Sequence, residues 1–253
     1  MSGEGASARE AGGVAAVERA LSILDAFDDR AGGDGGLALH EIAARTGLYK
    51  STALRLLASL ERFGHVRRTS DGRWRVGPAP LRLASLYKRS FRIADIVLPH
   101  LRAMAADLGE SASFYVRDRD ARLCLHRVDS PRSVRDAVRE GDRLPLDRGA
   151  GGRVLLAFAD GIAAARAAGP EGLVFVSRGE RSAETAGVAA PVFGPDGALA
   201  GSVNFSGPVH RFDEEAAARM GERVRTVAAD VTRQLGGDAG VYGTTDGTRG
   251  RAA

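Results

Sequence analysis

Hydrophobic positions recur at helical spacing through the first third of the chain and at strand spacing through much of the remainder. Val17, Ala20, Leu21, Leu24 and Phe27 stand at i, i+3, i+4, i+7 and i+10, one face of a first helix. The segment DDRAGGDGG ends it, because glycines and short acids favour turns. A second helix is expected from about Leu39 to Thr46. Ala38 holds its N-cap position three residues before Glu41, so the half of a capping box that needs a side-chain acceptor is missing. Gly47 closes this helix in the left-handed conformation that glycine tolerates. A third helix starts at the Lys50-Ser51-Thr52 corner with Ser51 as its expected N-cap. Ala53, Leu56, Leu57 and Leu60 form its buried stripe, which leaves Thr52, Arg55, Ser59 and Arg62 outward and Leu54 partly outward. Gly64 stops it. Val66-Arg67-Arg68, a Ser-Asp-Gly turn and Arg73-Trp74-Arg75-Val76 then form a hairpin in which alternation sends Trp74 inward and the guanidiniums of Arg73 and Arg75 outward.

Gly77-Pro78-Ala79-Pro80 breaks the regular structure and marks the expected domain boundary. LRLASLYKRS follows as a short connecting helix, and a further helix carries Val97, Leu101, Met104 and Leu108 on one face, with Pro99 in or near its first turn. From Ser111 the period changes to two. SFYVRD, RLCLHRV, SVRDAV, LVFVSR, GVAAPVFG and LAGSVNFSG read as short strands between turn residues. GAGGRVLLAFA reads as a helix opening behind a glycine run. An amphipathic helix from about Asp213 to Leu235 closes the domain, and the Gly/Thr-rich stretch after Gly236 is expected to be disordered. Strands followed by a closing helix make this half an α+β domain. The organisation predicted is a disordered tail (1–13), a winged helix-turn-helix (14–77), a linker helix (78–90), a second domain (91–236) and a disordered tail (237–253).

The chain has 253 residues, enough for two modest cores, and its 44% hydrophobic and 27% charged content is that of a globular protein rather than a disordered one. No apolar run approaches the roughly 18 residues of a membrane span. The start, MSGEGASAREAG, lacks the basic and apolar regions of a signal peptide. A single Cys124 cannot form an internal disulfide, which suits a reducing cytoplasm.

Helix, turn, second helix and hairpin in this order describe a device that places a helix in the DNA major groove. The charge supports that reading. From Arg45 to Arg92 the bases are Arg45, Lys50, Arg55, Arg62, Arg67, Arg68, Arg73, Arg75, Arg82, Lys88, Arg89 and Arg92, against only Glu61 and Asp71 as acids. A solvated face intersperses both signs, so so one-sided a block points to a polyanion. A winged helix serving only protein interaction would not need it. Thr52 and Arg55 are the candidates for base edges, with Leu54 against a thymine methyl as a further contact. Lys50, Ser51, Arg67 and Arg68 are placed on phosphates, and Arg73 or Arg75 in the minor groove.

Catalysis finds little support. The five histidines are scattered, with no metal-pair spacing and no nucleophile beside them. Cys124 and His126 share one face of a strand by alternation, which could begin a metal site, yet a core Cys beside a surface or interface His is the better reading. GAGGR lacks the Lys-Ser/Thr of a phosphate loop and reads as a tight strand-to-helix turn. No catalytic residue, metal or cofactor is therefore assigned.

Several separated blocks together resemble the IclR family of bacterial transcription regulators. They are RALSILDAF, EIAARTGLYKSTALRLLASLERFGHV, the hairpin ending in WRVGP, GDRLPLDRGAGGRVLLAF, VSRGERSAETAGVAAPVF and SVNFSGP, within residues 14 to 236. The resemblance implies an N-terminal winged helix, a linker helix and a GAF-like C-terminal domain with an antiparallel sheet. It also implies a dimer or dimer of dimers on a palindromic operator, and a small effector held by the C-terminal domain. Carried over by motif, the effector pocket includes Gly149, Ala150, Gly151, Gly187, Asn204 and Ser206, with backbone N–H groups near Gly151 suited to the carboxylate of an organic acid. Two departures stand out. Residues 159–172 are shorter than the family's cover over the effector, and Gly187 and Asn204 replace the polar or sulfur-bearing residues usual there. A DNA-binding regulator that has lost its effector response, or an enzyme tethered to DNA, are the alternatives.

Overall fold

The computed structural model describes residues 13–27, 36–90 and 93–243, without the side chains of 87–90. The N-terminal tail up to residue 12 and all of DDRAGGDGG except Gly36 lie outside them. The chain divides into two compact units, 1–90 and 91–253.

The first unit runs α1 (Ala15–Asp25), α2 (Leu39–Thr46), α3 (Lys50–Arg62), β1 (Val66–Arg68), β2 (Trp74–Val76) and α4 (Ala79–Ser90). Ile23, Leu37, Ile42, Leu57, Val66 and Trp74 are buried together as its core. Leu37 exchanges both backbone hydrogen bonds with Trp74 (2.7 and 2.8 Å), so the chain entering α2 is tied to the hairpin. As the sequence predicts, Ala38 brings no side-chain acceptor to α2. The Glu41 carboxylate instead accepts the Ala38 N–H at 2.7 Å, and that bond holds its carboxyl below the usual carboxylate range. Gly47 (φ 70°) and Gly64 (φ 74°) are left-handed, and the His65 N–H returns to the Leu60 carbonyl at 2.9 Å to finish α3.

Two expectations are corrected here. The buried stripe of α1 is not the one anticipated: Val17 and Leu21 are 54% and 52% exposed, while Ile23 is buried beside half-buried Ala20, Leu24 and Phe27. Hydrophobic residues occupy more than one face of α1, and periodicity alone did not say which face meets the core. Ser51 is not the N-cap of α3. Tyr49 holds that position with extended backbone and no side-chain cap, which places Ser51 inside the first turn.

The second unit runs α5 (Ile93–Leu108), β3 (Ser111–Asp118), β4 (Ala121–Val128), β5 (Arg143–Pro145), α6 (Ala150–Ala157), α7 (Ile162–Ala168), β6 (Phe175–Arg178), β7 (Thr185–Phe193), β8 (Leu199–Pro208) and α8 (Glu214–Gln234). Its six strands form one antiparallel sheet in the order β5-β4-β3-β8-β7-β6. The fold is thus α+β in both its parts, as expected. Asp213 caps α8 by accepting the Ala216 N–H at 2.8 Å, which closes off a helix whose Val224, Val227 and Val231 are wholly buried. α5 and α8 pack against the sheet and against each other, with an ion pair between Asp107 and Arg223 at 2.8 Å.

Three predictions fail in this unit. Pro99 lies well inside α5, because Ile93 and Ile96 already pack on the core ahead of the stripe that begins at Val97. SVRDAV is irregular, not a strand. Its polar groups are met by side chains instead: Arg127 donates to the Asp136 carbonyl (2.9 Å), Arg135 pairs with Asp129 and Asp136 with Arg181. The short strand β5 takes the place beside β4. The expected disorder after Gly236 does not begin there either. Ala239–Tyr242 forms a 3-10 turn with Val241 and Tyr242 buried. A relay of hydrogen bonds holds it: Phe193 N–H to Thr232 Oγ1 (3.1 Å), Thr232 hydroxyl with Tyr242 hydroxyl (2.9 Å), and Tyr242 hydroxyl to the Pro191 carbonyl (2.7 Å). Residues 244–253 lie outside the described ones.

Candidate nucleic-acid interface and ligand pocket

Helix α3 buries Ala53 and Leu57 and half-buries Leu56 and Leu60. The opposite face is left open, and it carries Lys50, Ser51, Leu54, Arg55, Ser59 and Arg62 exposed, with Thr52 half-buried. Residues 51, 54, 55, 58 and 62 line one side of the helix by their spacing. Of the candidates, Lys50, Ser51, Leu54 and Arg55 are therefore brought together on one surface element. Tyr49, immediately before α3, is 86% exposed. Sequence reasoning passed over it, though a large ring at an N-cap position, where no core partner is within reach, was the available signal.

The hairpin behaves unevenly. Arg67 and Arg68 are exposed, and the Arg68 guanidinium lies 5.9 Å from the centre of the Trp74 ring. Trp74 points inward as expected. Arg73 does not point outward: its Nε and Nη2 donate to the Gly36 carbonyl (3.0 and 2.8 Å), and Nη2 also pairs with Glu41 at 3.0 Å. Within the turn, Asp71 accepts from the Thr69 hydroxyl. Arg73 clamps the hairpin to the start of α2, and Arg75 is half-buried.

In the second unit the candidates converge at the start of α6. Gly149 is the N-cap with φ 79°, a backbone conformation that favours glycine, and a Cβ there would lie 3.0 Å from the Arg122 guanidinium. Gly151 faces Asn204 so closely that a Cβ would collide with its Oδ1. Gly187 lies opposite Ser177 and Ser206 in the register of β6, β7 and β8. Thus Gly149, Ala150, Gly151, Gly187, Asn204 and Ser206 line a single cavity of about 30 Å3. The first two amides of the helix start are already engaged: Gly149 N–H donates to Glu180 (2.9 Å) and Ala150 N–H to the Ser177 hydroxyl (2.9 Å). The Asn204 amide is held by the Ser202 carbonyl and hydroxyl (2.9 and 3.1 Å).

The same cavity is lined by Tyr115, Arg122, Asp136, Ser177 and Arg181, which sequence reasoning missed. Asp136 and Arg181 form an ion pair at 2.5 Å, the carboxylate being buried. Arg122 is 4% exposed. Its Nη1 donates to the carbonyls of Arg148 (2.6 Å) and Gly149 (3.4 Å), and its guanidinium lies 5.2 Å from the Tyr115 ring centre. Burial lowers the Arg122 pKa and pushes the Tyr115 hydroxyl up to about 12. The signal for Arg122 was alternation, which sets it in phase with buried Cys124.

Cys124 is buried and burial pushes its thiol up to about 12. Between the pairs Phe114–His126 and Tyr115–Cys124 the register slips, so the alternation that would align Cys124 with His126 is broken. Among the described residues no group of three His, Cys, Asp or Glu side chains could hold a metal ion, and no helix is long and apolar enough to cross a membrane.

The family model for the IclR helix-turn-helix domain matches residues 16–70. The model for the bacterial transcriptional regulator IclR C-terminal region matches residues 86–168 and 162–233. Across 90% of both chains the protein is 29% identical to the HTH-type transcriptional regulator BhcR of Paracoccus denitrificans. It is 30% identical to the glycerol operon regulatory protein of Streptomyces griseus, over 88% of this chain and 97% of that one. Its fold superposes with a TM-score of 0.68 on the crystal structure of an IclR homolog complexed with 4-hydroxybenzoate from Microbacterium hydrocarbonoxydans, at 22% identity over 87% of this chain and 98% of the other.

Proposed function

The chain belongs to the IclR family of transcription regulators, which bind DNA and are not enzymes, and from that premise we propose that it works in the cytoplasm as a homodimer, or a dimer of dimers, on a palindromic operator, under the control of a small organic acid. The observation that carries the reading is the open face of α3, where Ser51, Leu54 and Arg55 stand exposed beside Lys50 with no protein partner over them among the described residues. Thr52, Leu54 and Arg55 meet base edges. Lys50, Ser51, Arg67 and Arg68 hold phosphates, Arg75 follows the minor groove, and Arg73 contributes by keeping the hairpin in place. The cavity under α6, with Gly149, Ala150, Gly151, Gly187, Asn204 and Ser206 in its wall, is the effector site.

Pairing is supported by apolar surface in the first unit. Val14 at the N-cap of α1, Val17 and Leu21 on α1, and Leu81, Leu83 and Leu86 on α4 are all exposed, Leu81 by 72%. Surface of this kind is what a second copy covers, and a two-fold pair of winged helices dictates a palindromic site. The effector acts by binding one of two states of the regulator more tightly, since only a difference in affinity shifts such an equilibrium. The test is binding of the protein to duplex selected from a random pool, at two salt concentrations and with stoichiometry determined. A palindromic selected sequence bound by two copies, or a multiple of two, supports the proposal. Binding of single copies to an asymmetric sequence refutes it.

A second reading is favoured by the cavity volume of about 30 Å3, small for a site that is to hold an organic molecule. In that reading the chain grips DNA without an effector response. Titration with organic acids separates the two, because an acid that changes operator affinity is incompatible with it.

A further inference from the structure

Tyr49 is the large side chain of the first unit whose surroundings do not account for it. It is 86% exposed, more than any other large hydrophobic residue described. Among the described residues no hydrogen bond reaches its hydroxyl, and no charged or aromatic group lies against its ring. The other tyrosines with described side chains are buried and engaged. The Tyr115 ring lies 5.2 Å from the Arg122 guanidinium, and the Tyr242 hydroxyl bonds to Thr232 and Pro191. Phe63, the other exposed ring described, has the Arg62 guanidinium 5.4 Å from its centre. A lone exposed ring is ordinary on a protein surface; this one is set apart by its place. Tyr49 is the N-cap of α3, where Ser, Thr, Asp or Asn would accept an amide of the first turn, and the position forgoes that bond. Its backbone is nonetheless fixed. Gly47 turns the chain at φ 70°, Leu48 packs on the core, and the Tyr49 carbonyl accepts the Ala53 N–H at 2.9 Å. A rigid mount therefore carries an unpartnered phenol at the leading end of the helix whose Lys50, Ser51, Leu54 and Arg55 form the open face.

We propose that Tyr49 is a DNA contact, its hydroxyl donating to a backbone phosphate beside the one held by Lys50 and its ring lying on the neighbouring deoxyribose. The inference rests on the reading that α3 is the helix presented to DNA. Ser51, Leu54 and Arg55 share one side of α3 by their spacing. Tyr49 precedes the helix on extended backbone (φ −62°, ψ 141°) and stands outside that line. With Arg55 over the base edges, a group at the leading end of the helix meets the strand that walls the groove, and tyrosine hydroxyls are among the groups that grip phosphate oxygens there. The contact is neutral. It positions the helix without displacing a counterion, so it differs from the Lys50 contact in its response to salt.

The test compares full-length wild type, Tyr49→Phe, Tyr49→Ser, Lys50→Ala and Arg55→Ala on the selected duplex and its single-position variants, between about 50 and 200 mM salt. Chemical denaturation of each protein is followed in parallel. Tyr49→Phe removes only the hydroxyl. It should weaken binding about tenfold for each copy on the site, the worth of a hydrogen bond to a charged group, equally on every sequence and with the wild-type salt slope. Lys50→Ala should flatten that slope. Tyr49→Ser removes the ring as well and supplies the missing cap, so it should bind at least as weakly as Tyr49→Phe while being no less stable than wild type. A loss of affinity without a loss of stability excludes a merely structural role for the ring. The inference is overturned if Tyr49→Phe binds like wild type, if its loss falls on a single base-pair position, if its salt slope flattens, or if Tyr49→Ser loses stability along with affinity. Tyr49 variants that bind like wild type beside a weakened Lys50→Ala overturn the inference and leave α3 as the reading helix. If Lys50→Ala and Arg55→Ala are silent as well, the reading of α3 itself falls.

Discussion

The division of labour on α3 can be tested with two truncations, Lys50→Ala and Arg55→Ala. Both side chains are exposed, so neither change opens a cavity in the core. Five residues carry a helix about 140° round its axis and about 7.5 Å along it, which points the two side chains to different sides of the groove. A helix that aims Arg55 at the groove floor therefore aims Lys50 at a flanking strand. Arg55→Ala should cost about 1–3 kcal/mol on the preferred sequence and relax the preference at one base-pair position. Lys50→Ala should weaken every sequence alike. By counterion release, each lost phosphate contact flattens the slope of log affinity against log salt by about 0.9, and a site holding two copies should show about twice that. The assay is fluorescence anisotropy on labelled duplex between about 50 and 200 mM salt, the range over which such slopes are well resolved, with the selected sequence and single-position variants of it. If both mutants lost affinity in parallel on all sequences, with the same change in slope, Arg55 would not be reading a base and the sorting of contacts would be wrong.

Other perturbations follow from the packing. Leu57→Ala removes a fully buried side chain from the small core of the first unit and should cost about 2–5 kcal/mol; chemical denaturation showing less than about 1 kcal/mol would mean that the site collapses or is not packed as described. In the second unit, Thr232→Val leaves the Phe193 N–H without its acceptor and Tyr242→Phe leaves the Pro191 carbonyl without its donor, each at about 1–3 kcal/mol. The double mutant should fall short of their sum because the two hydroxyls share one relay, and strict additivity would argue against the relay. The thiol of Cys124, ordinarily near 9, is raised to about 12 by burial. Its contribution to stability is whole below about pH 9 and is lost as pH climbs through about 12. Denaturation midpoints should fall along that alkaline limb, with part of the fall absent in Cys124→Ala, and a thiol reagent reacting at pH 8 as fast with native as with unfolded protein would contradict the burial.

What could be read from the chain in advance was local. The stripe Ala53-Leu56-Leu57-Leu60, the glycines after α2 and α3 and the Trp74 alternation each depend on residues a few positions apart, and each is found in the structure. The failures have the opposite character. Which face of α1 is buried depends on where α2 and α3 lie, not on its own period. SVRDAV has the alternation of a strand, but Arg127 and Arg181 reach it from elsewhere in the chain and satisfy groups that a ladder would have used. The stretch after Gly236 is rich in turn formers, and distant partners order it, those of Tyr242 on β7 and α8 and Arg166 beside Asp238 among them. The cavity at the start of α6 was half legible for the same reason. Gly149, Ala150, Gly151, Gly187, Asn204 and Ser206 sit in motifs, whereas Tyr115, Arg122, Asp136 and Arg181 become neighbours only when four segments meet. Arg73 had the pattern of an outward wing residue and is instead held by Gly36 and Glu41, a contact across more than thirty positions that no window contains.

Trp74 is the only tryptophan of the chain, and it is buried in the core of the first unit, with the Arg68 guanidinium near its ring. The protein thus carries a built-in optical label on one of its two units. Excitation selective for indole reports the winged helix alone, while far-ultraviolet dichroism sums over both. If the two signals melt at different temperatures, the units unfold separately and a single midpoint has no meaning for the whole chain. The same label also watches the hairpin at work: DNA that draws Arg68 away from the ring changes the surroundings of the indole, so binding can be followed without attaching a dye.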